Sequence, residues 1–232
     1  MRSVQSVLIA DVIHSSRRAR LSALLAVGLR RANRVHLREK RIRVPYAVTA
    51  GDEFQTVVGS IEMVPGLIFD LRRQMRPLDL RIGIGIGKIQ GRVRAPVNRL
   101  VGDAFANARE AIAEVKKGGH AYPRLTAFRS SNQSFDRITN LVYGLNDTLV
   151  LDMTEEQWRA LNAYVDSSGV ESAAQKLRVN VSTLSRNLKR SHFRQLAETA
   201  TTMEVFFRES WGQLYKNVQI SIFARKRANA GW

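Results

Sequence analysis

Two aspartates lie where their carboxylates can bind a metal ion. Asp11 ends the apolar run 4–10, and Asp52 lies in a short link between the β-prone runs 44–49 and 54–59. Glycine and aspartate in such a link predict a tight hairpin beside the first strand. We expect Asp11 and Asp52 to bind Mg²⁺ or Mn²⁺, because carboxylate oxygens are hard ligands and such ions take water and substrate phosphate as well. Two ions held there would permit nucleotidyl transfer, so both residues are also predicted to be catalytic.

These residues also have ordinary explanations. An Asp at a turn often bonds its own backbone, and an Asp after a strand often caps the next helix. Glu53 either assists Asp52 in catalysis or points to solvent from the pleat of its strand. Arg17 closely follows Asp11. Its guanidinium either binds a nucleotide phosphate near a helix N-terminus or belongs to a solvated basic face.

A second group of candidate residues lies in the stretch 154–191. Helical spacing on either side of a tight turn at 178–180 predicts a helix-turn-helix, with Asn180 as N-cap of its last helix. Leu184 and Leu188 are spaced to be buried. The side chains that we expect to face outward and contact DNA are Ser182, Thr183, Ser185, Arg186, Lys189 and Arg190. Hydroxyl residues suit the major groove, and Arg and Lys suit bases and phosphates; a protein-contact scaffold is the alternative.

The elements that must position the aspartates alternate in the order β-α-β-β-α-β-α-β. This order predicts a mixed α/β (α+β) fold, with an antiparallel or mixed sheet and helices on one face. Within the run 79–89, isoleucines at 82, 84 and 86 alternate with glycines at 83, 85 and 87. One face of this strand is therefore almost bare, which indicates that another element packs close to it.

The periodicity changes after residue 130 and divides the chain. We expect an α/β domain at 1–130, a linker helix at 131–152, and an all-α helix-turn-helix domain at 153–232. An apolar stripe at alternating spacings of three and four then comprises Ala200, Met203, Phe207, Trp211, Leu214 and Val218. It predicts either the seam of a homodimer or packing against the protein's own core.

Composition narrows the class of protein. The chain has 232 residues, no cysteine, and a formal net charge of +17. The absence of cysteine excludes disulfides and thiolate sites and fits a reducing compartment. No apolar run is long enough to cross a bilayer, so we expect a cytoplasmic protein without a membrane partner. The positive charge favours a polyanionic partner such as double-stranded DNA, with a solvated basic surface or anionic lipid as alternatives.

The segment Ala-Gly-Asp-Glu-Phe at 50–54 resembles the signature hairpin of diguanylate cyclases, and residues 101–109 resemble the cyclase helix motif. The class III nucleotide cyclases share that fold. Both resemblances imply a ferredoxin-like palm domain with two Mg²⁺ ions at Asp11 and Asp52, and nucleotide contacts at Gly51 and Arg109. Together, the segments 11–17, 51–55, 81–85 and 108–111 are similar to the SatD family of bacterial proteins, over most of the chain.

The sequence departs from the cyclase pattern at two positions. Ala50 replaces the first glycine of the diguanylate-cyclase motif, and its β-carbon would crowd a guanine nucleotide. The cyclase helix carries Asn where Ala106 stands, while Asn107 is one residue away. The scaffold and the carboxylate pair therefore allow changed, weakened or absent catalysis.

Three functional hypotheses follow. In the first, a nucleoside triphosphate or related nucleotide binds with Mg²⁺ at Asp11 and Asp52 and controls DNA binding by the helix-turn-helix. In the second, the same aspartates serve an active nucleotidyl cyclase or polymerase-like enzyme. In the third, an inactive palm domain acts as a dimerisation scaffold.

Overall fold

The computed structural model describes residues 4–15, 20–119 and 122–211. Five strands and eight α-helices form in that part of the chain. The strands are β1 (Gln5–Val12), β2 (Ala47–Ala50), β3 (Glu53–Val57), β4 (Leu80–Gly87) and β5 (Thr126–Arg129). The helices are α1 (Leu21–Arg38), α2 (Val64–Met75), α3 (Asp103–Lys117), α4 (Gln133–Leu151), α5 (Glu155–Val165), α6 (Val170–Leu177), α7 (Val181–Arg190) and α8 (Phe193–Trp211). No helix within the described ranges is long and apolar enough to cross a membrane.

The strands form one sheet in the order β2-β3-β1-β4-β5. β1 pairs antiparallel with β3 and with β4, β2 and β3 form an antiparallel hairpin, and β5 adds parallel to β4. The predicted mixed α/β fold is confirmed. So is the hairpin, whose turn consists of Gly51, at φ 58°, and Asp52. The pairing of Ala10 with Phe54 brings the end of β1 beside the hairpin tip.

The glycine face of β4 is covered by α3. A β-carbon on Gly83 would lie 2.5 Å from Ile112 N and 2.7 Å from Ala108 O, both on α3. One on Gly85 would overlap the α3 backbone at Ala104 and Ala108. The prediction that another element packs close to this face is confirmed, and bare glycines are what let the helix backbone approach the strand.

The opposite face of the sheet packs against α1, α2 and α8. Leu8 and Ala10 of β1 and Phe54 of β3 are buried there with Leu71 of α2 and Phe207 of α8. Helices therefore cover both faces, and the prediction of helices on one face is wrong. The physical reason is that strand β4 buries its isoleucines on one side while its glycines accept a helix on the other.

Helices α4 and α8 pack onto the α/β part of the chain. Phe135 of α4 contacts the rings of Phe207 and Trp211, with ring centroids 4.8 and 5.5 Å apart. Met203 and Phe207 are buried in the main core. Of the two readings of the apolar stripe, packing against the protein's own core is the one observed for these residues. Leu214 and Val218 lie outside the described residues.

A buried polar group joins α2, β5 and α4. Asp147 accepts hydrogen bonds from the backbone N–H groups of Leu125 and Thr126, at 2.8 and 2.7 Å, and from the Thr126 hydroxyl. Arg72 donates to Asp147 at 3.2 Å and to the carbonyl of Leu80 at 2.8 Å. The two opposite charges therefore neutralise each other in the interior, where an unpaired charge is strongly destabilising.

Helices α5, α6 and α7 pack around a second core. Trp158 and Leu161 of α5 are buried in it with Ala173 of α6 and Leu184 of α7. Leu188, which was expected to be buried, is only partly so. Asn180 is the N-cap of α7 as expected, although its side chain makes no capping hydrogen bond.

Candidate functional site

Asp11 lies at the end of β1, on the face of the sheet that α3 covers. It pairs across the strands with Arg81 of β4, and its side chain is 9% exposed. Asp11 Oδ2 lies 3.4 Å from Arg81 Nη1, and Asp11 Oδ1 lies 3.3 Å from Lys116 Nζ. Arg81 precedes Gly83 by two residues and therefore lies on the same face of β4 as the glycines, so the period of that strand was a signal that could have placed it beside Asp11.

Lys116 connects the end of α3 to two strands. Its ammonium also lies 3.1 Å from Glu53 Oε2, so it bridges the carboxylates of β1 and β3. Burial alone would lower the pKa of Lys116, but the hydrogen bond to Glu53 and the charge of Asp11 raise it above its ordinary value. Sequence reasoning missed Lys116, because only the packing of α3 across the sheet brings its helix end to this site.

The expected meeting of Asp11 with the hairpin tip is observed. Burial raises the pKa of Asp11 above its ordinary value, and the negative charge of Asp52 raises it further, while Lys116 and Arg81 oppose the shift. The carboxylates of Asp11, Asp52 and Glu53 therefore crowd one end of the sheet. Two basic side chains neutralise them only in part.

This donor set can be compared with the needs of Mg²⁺ or Mn²⁺. In the described part of the chain, no group of three or more His, Cys, Asp or Glu side chains is arranged to hold a metal ion. A site on Asp11 and Asp52 would take its remaining ligands from water and phosphate, as Mg²⁺ commonly does. Hard carboxylate oxygens with a local excess of negative charge fit such an ion.

The expected nucleotide-binding residues lie at different distances from this cluster. Gly51 is in the hairpin turn, and a β-carbon there would meet no atom within 4 Å. Arg109 is exposed on α3, two turns before Lys116 on the same side of the helix, about 10 Å away along the axis. Asn107 donates to the carbonyl of Ile86 at 2.8 Å, so its amide group is used in the fold. Arg17 lies outside the described residues.

The expected DNA-binding residues share one helix, α7. Thr183 is half-buried, and the exposed members are Ser182, Ser185, Arg186, Lys189 and Arg190. Helical geometry turns Arg186 away from the buried Leu184, so this side chain points away from the protein. It places Ser185 and Lys189 on one flank of the helix, next to Leu188.

A chain of buried side chains runs from the hairpin to α5. The ring of Tyr46, just before β2, contacts that of Phe54 with centroids 5.8 Å apart. Tyr46 Oη lies 2.9 Å from His36 Nδ1, and His36 Nε2 lies 2.8 Å from Asp70 Oδ2. Arg73 then bonds Asp70 and, at 3.0 Å, Asp166 at the end of α5.

The model of the SatD family matches residues 6–206 of the chain. The chain belongs to the SatD family. The similarity predicted from the segments around Asp11, Asp52, Arg81 and Arg109 is thereby confirmed. No curated protein matches this SatD family member.

Solved structures of adenylyl cyclases are distantly similar. One bacterial light-regulated adenylyl cyclase is 15% identical with a TM-score of 0.37, over 55% of the SatD family chain and 76% of its own. A second such structure has a TM-score of 0.39 at 15% identity, over 55% and 43%. The adenylyl cyclase CyaB from P. aeruginosa is 17% identical with a TM-score of 0.33, over 47% and 71%. These likenesses are too distant to carry an argument about the SatD family protein.

Proposed function

We propose that the carboxylate cluster binds a nucleoside triphosphate with Mg²⁺ or Mn²⁺ and performs nucleotidyl transfer of the cyclase type. The observation that carries this proposal is the convergence of Asp11, Asp52 and Glu53 at one end of the sheet, beside Lys116. Asp11 and Asp52 would hold the ion. When bound, the ion would supply positive charge against the phosphates and activate the attacking oxygen.

The chain's own residues would bind and orient the nucleotide. Lys116 bonds two carboxylates in this structure, and a metal ion at Asp11 would leave its ammonium available to phosphate oxygens. Gly51 keeps the hairpin turn free of a side chain, which lets a nucleotide approach the backbone. Arg17 and Arg109 are proposed as further phosphate contacts, and Glu53 as a group that positions Lys116.

Pyrophosphate release tests this proposal. Purified protein is incubated with Mg²⁺ or Mn²⁺ and each nucleoside triphosphate in turn. We expect release that is lost in Asp52→Asn and retained in Asp152→Asn, a matched change at an exposed helix end. No release with any triphosphate would refute the enzymatic proposal. A Tm that rises with metal and nucleotide in the wild type but not in Asp52→Asn would then support nucleotide sensing.

A second candidate function is a DNA-binding regulator, and the exposed face of α7 favours it. This face carries Ser182, Ser185, Arg186, Lys189 and Arg190, with Thr183 at its edge. Hydroxyl and basic side chains in this order suit a recognition helix in the major groove of double-stranded DNA. The division into an α/β domain at 1–130, a linker helix at 131–152 and a helix-turn-helix domain at 153–232 is proposed with it.

Two arginines of the α/β part contact α5. These contacts support the proposal that nucleotide binding in the α/β part controls DNA binding. Arg73 reaches Asp166 at the end of α5, and Arg76 bonds Glu155 at its start and lies over the Trp158 ring, 5.1 Å from its centroid. A conformational change at the hairpin can therefore be transmitted to α5 through the chain of buried side chains that begins at Tyr46. This route is a hypothesis of energetic coupling between the hairpin and α5. It requires that an element shared by both has two conformations.

A mobility-shift titration with genomic DNA fragments tests the regulator. We expect salt-sensitive binding that Arg186→Ala weakens and that Arg159→Ala, an exposed change on α5, leaves unaltered. Equal binding by wild type and Arg186→Ala would show that α7 is not the recognition helix. A homodimer, proposed because such regulators bind twofold sites, is checked by light scattering on the free protein.

A further inference from the structure

The solvent-facing side of α1 carries a row of arginines. Arg30, Arg34 and Arg38 are exposed and lie four residues apart. Their side chains therefore project from one side of the helix, at intervals of about 6 Å along its axis. The opposite side of α1 packs on the core, where Leu25 and Ala32 are buried. This arginine row extends over about 12 Å and faces solvent along its whole length.

The protein's own carboxylates neutralise little of the arginine row. Helix α1 contains no Asp or Glu. In the part of the chain that the structure describes, no acidic side chain forms an ion pair with Arg30 or Arg34. Arg38 lies 3.7 Å from Glu39, but its side chain is 73% exposed, and the same carboxylate lies closer to Arg41, at 2.9 Å. The row therefore keeps most of its positive charge at the surface.

Basic side chains also flank the arginine row. Arg20 precedes α1, and Lys40 and Arg43 follow it; all three are exposed. Arginines spaced four residues apart repel each other, and this repulsion disfavours the helix. A bound polyanion would remove the repulsion, because its negative charges would lie beside the guanidinium groups. The row also belongs to a chain with a formal net charge of +17, which favours a polyanionic partner at this surface.

The composition of α1 favours a nucleic acid duplex over a membrane or a single strand. A helix that binds a bilayer buries an apolar face in it, but Leu25 and Leu29 of α1 are buried in the main core. Val27 and Leu37 are the large apolar side chains of α1 that remain exposed, at 45% and 39%. The helix has no Phe, Tyr or Trp on which unpaired bases could stack. Arginine suits phosphate, because its planar fork of donors pairs with two phosphate oxygens.

We propose that the arginine row of α1 binds the phosphate backbone of double-stranded DNA without reading its sequence. Each arginine would pair with a phosphate, and binding would release counterions that are condensed on the DNA. Phosphate contacts of this kind position a protein on the duplex and do not distinguish the bases. Because the row lies on the α/β part of the chain, this binding does not depend on α7 acting as a recognition helix.

The salt dependence of DNA affinity tests this proposal. The full chain is titrated against a fluorescent duplex of arbitrary sequence at several salt concentrations. In the row variant, Arg30→Gln, Arg34→Gln and Arg38→Gln are combined. We expect its slope of log affinity against log salt to be less steep by about 2–3, because each phosphate contact contributes about 0.9, and its affinity at low salt to be at least about tenfold weaker. A slope equal to that of the wild type, or no DNA binding by the wild type, would overturn the proposal.

Two matched variants separate the arginine row from folding and from total charge. Replacing the three arginines of the row by lysine keeps the charge and should keep the slope of the wild type. The second variant removes the same charge from the loop between β4 and α3, on the other face of the sheet, by glutamine at the exposed Arg92, Arg94 and Arg99. We expect a slope close to that of the wild type. An equal loss in the loop and row variants would show that total charge governs binding, and would refute a site on α1.

Two further comparisons distinguish this proposal from its alternatives. If the row variant loses affinity for the arbitrary duplex while Arg186→Ala binds all DNA as the wild type does, the arginine row stands and the recognition helix does not. If only Arg186→Ala weakens binding, the reverse holds. Sedimentation with vesicles that contain phosphatidylserine tests a membrane partner. Vesicle binding that requires the row, together with unchanged DNA binding by the row variant, would assign the row to a membrane and overturn the proposal.

Discussion

The carboxylate of Glu204, on α8, tests the packing of that helix against the α/β part of the chain. Its carboxylate faces the start of α2, close enough that a β-carbon on Gly66 would lie 2.7 Å from Glu204 Oε1. The pKa of Glu204 is raised to about 7, chiefly by burial; the positive charges of Arg41 and Arg208 oppose this shift, and the negative charge of Glu62 adds to it. The perturbation is Glu204→Gln, which keeps the shape of the protonated side chain and removes its titration.

The expected magnitude follows from proton linkage. The pKa is 4.5 for an unperturbed Glu and about 7 in the folded protein. Between these values the folded state keeps the proton and the unfolded chain loses it, so the free energy of unfolding falls as pH rises. At about 1.4 kcal/mol per pKa unit, the contribution lost across this window is at most about 3 kcal/mol. Below pH 4.5 the contribution of Glu204 to the free energy of unfolding is fully present.

Urea unfolding at about pH 5 and about pH 8 measures this effect. The wild type should lose free energy of unfolding between the two values, and Glu204→Gln should lose about 2–3 kcal/mol less, because a pH of about 5 already lies just above the unfolded pKa. Glu198→Gln, an exposed change on the same helix, should behave as the wild type does. If Glu204→Gln shows the same dependence on pH as the wild type, the carboxylate is not buried as described, and the reasoning fails.

Three changes in the core test other contacts by chemical unfolding. Asp147→Ala should destabilise the fold by about 3–5 kcal/mol, because it leaves the Arg72 charge buried without its partner; an effect under about 1 kcal/mol would contradict that. Gly85→Ala should destabilise strongly, since the new methyl group overlaps the backbone of α3, while Gly169→Ala has room and should be tolerated. Phe207→Ala should lower the free energy of unfolding by about 3–5 kcal/mol, and a much smaller change would mean that α8 is dispensable to the core.

Much of the fold could be predicted from local patterns. The alternation of Ile82, Ile84 and Ile86 with glycines determines both strand β4 and the close approach of a helix to it. Gly51 and Asp52 determine the hairpin, because a tight turn with positive φ favours these residue types. The helical spacings around Trp158 and Leu184 determine α5 and α7 in the same way, since each pattern depends only on neighbours along the chain.

The side of the sheet taken by each helix could not be predicted, because a helix with one apolar stripe can pack on either face of a sheet. Helix α3 takes the glycine face, and this choice brings Lys116 to Asp11 and Glu53. Sequence reasoning found the carboxylates and missed their basic partner for this reason.

The sequence by itself therefore determined the kinds of element, the hairpin that carries Asp52, and the family, since these depend on local order along the chain. Only the tertiary structure decided that Arg72 is neutralised by Asp147 and that Tyr46, His36 and Asp70 form a buried chain. Each of these depends on contacts between residues far apart in sequence, whose spacing carries no periodic signal.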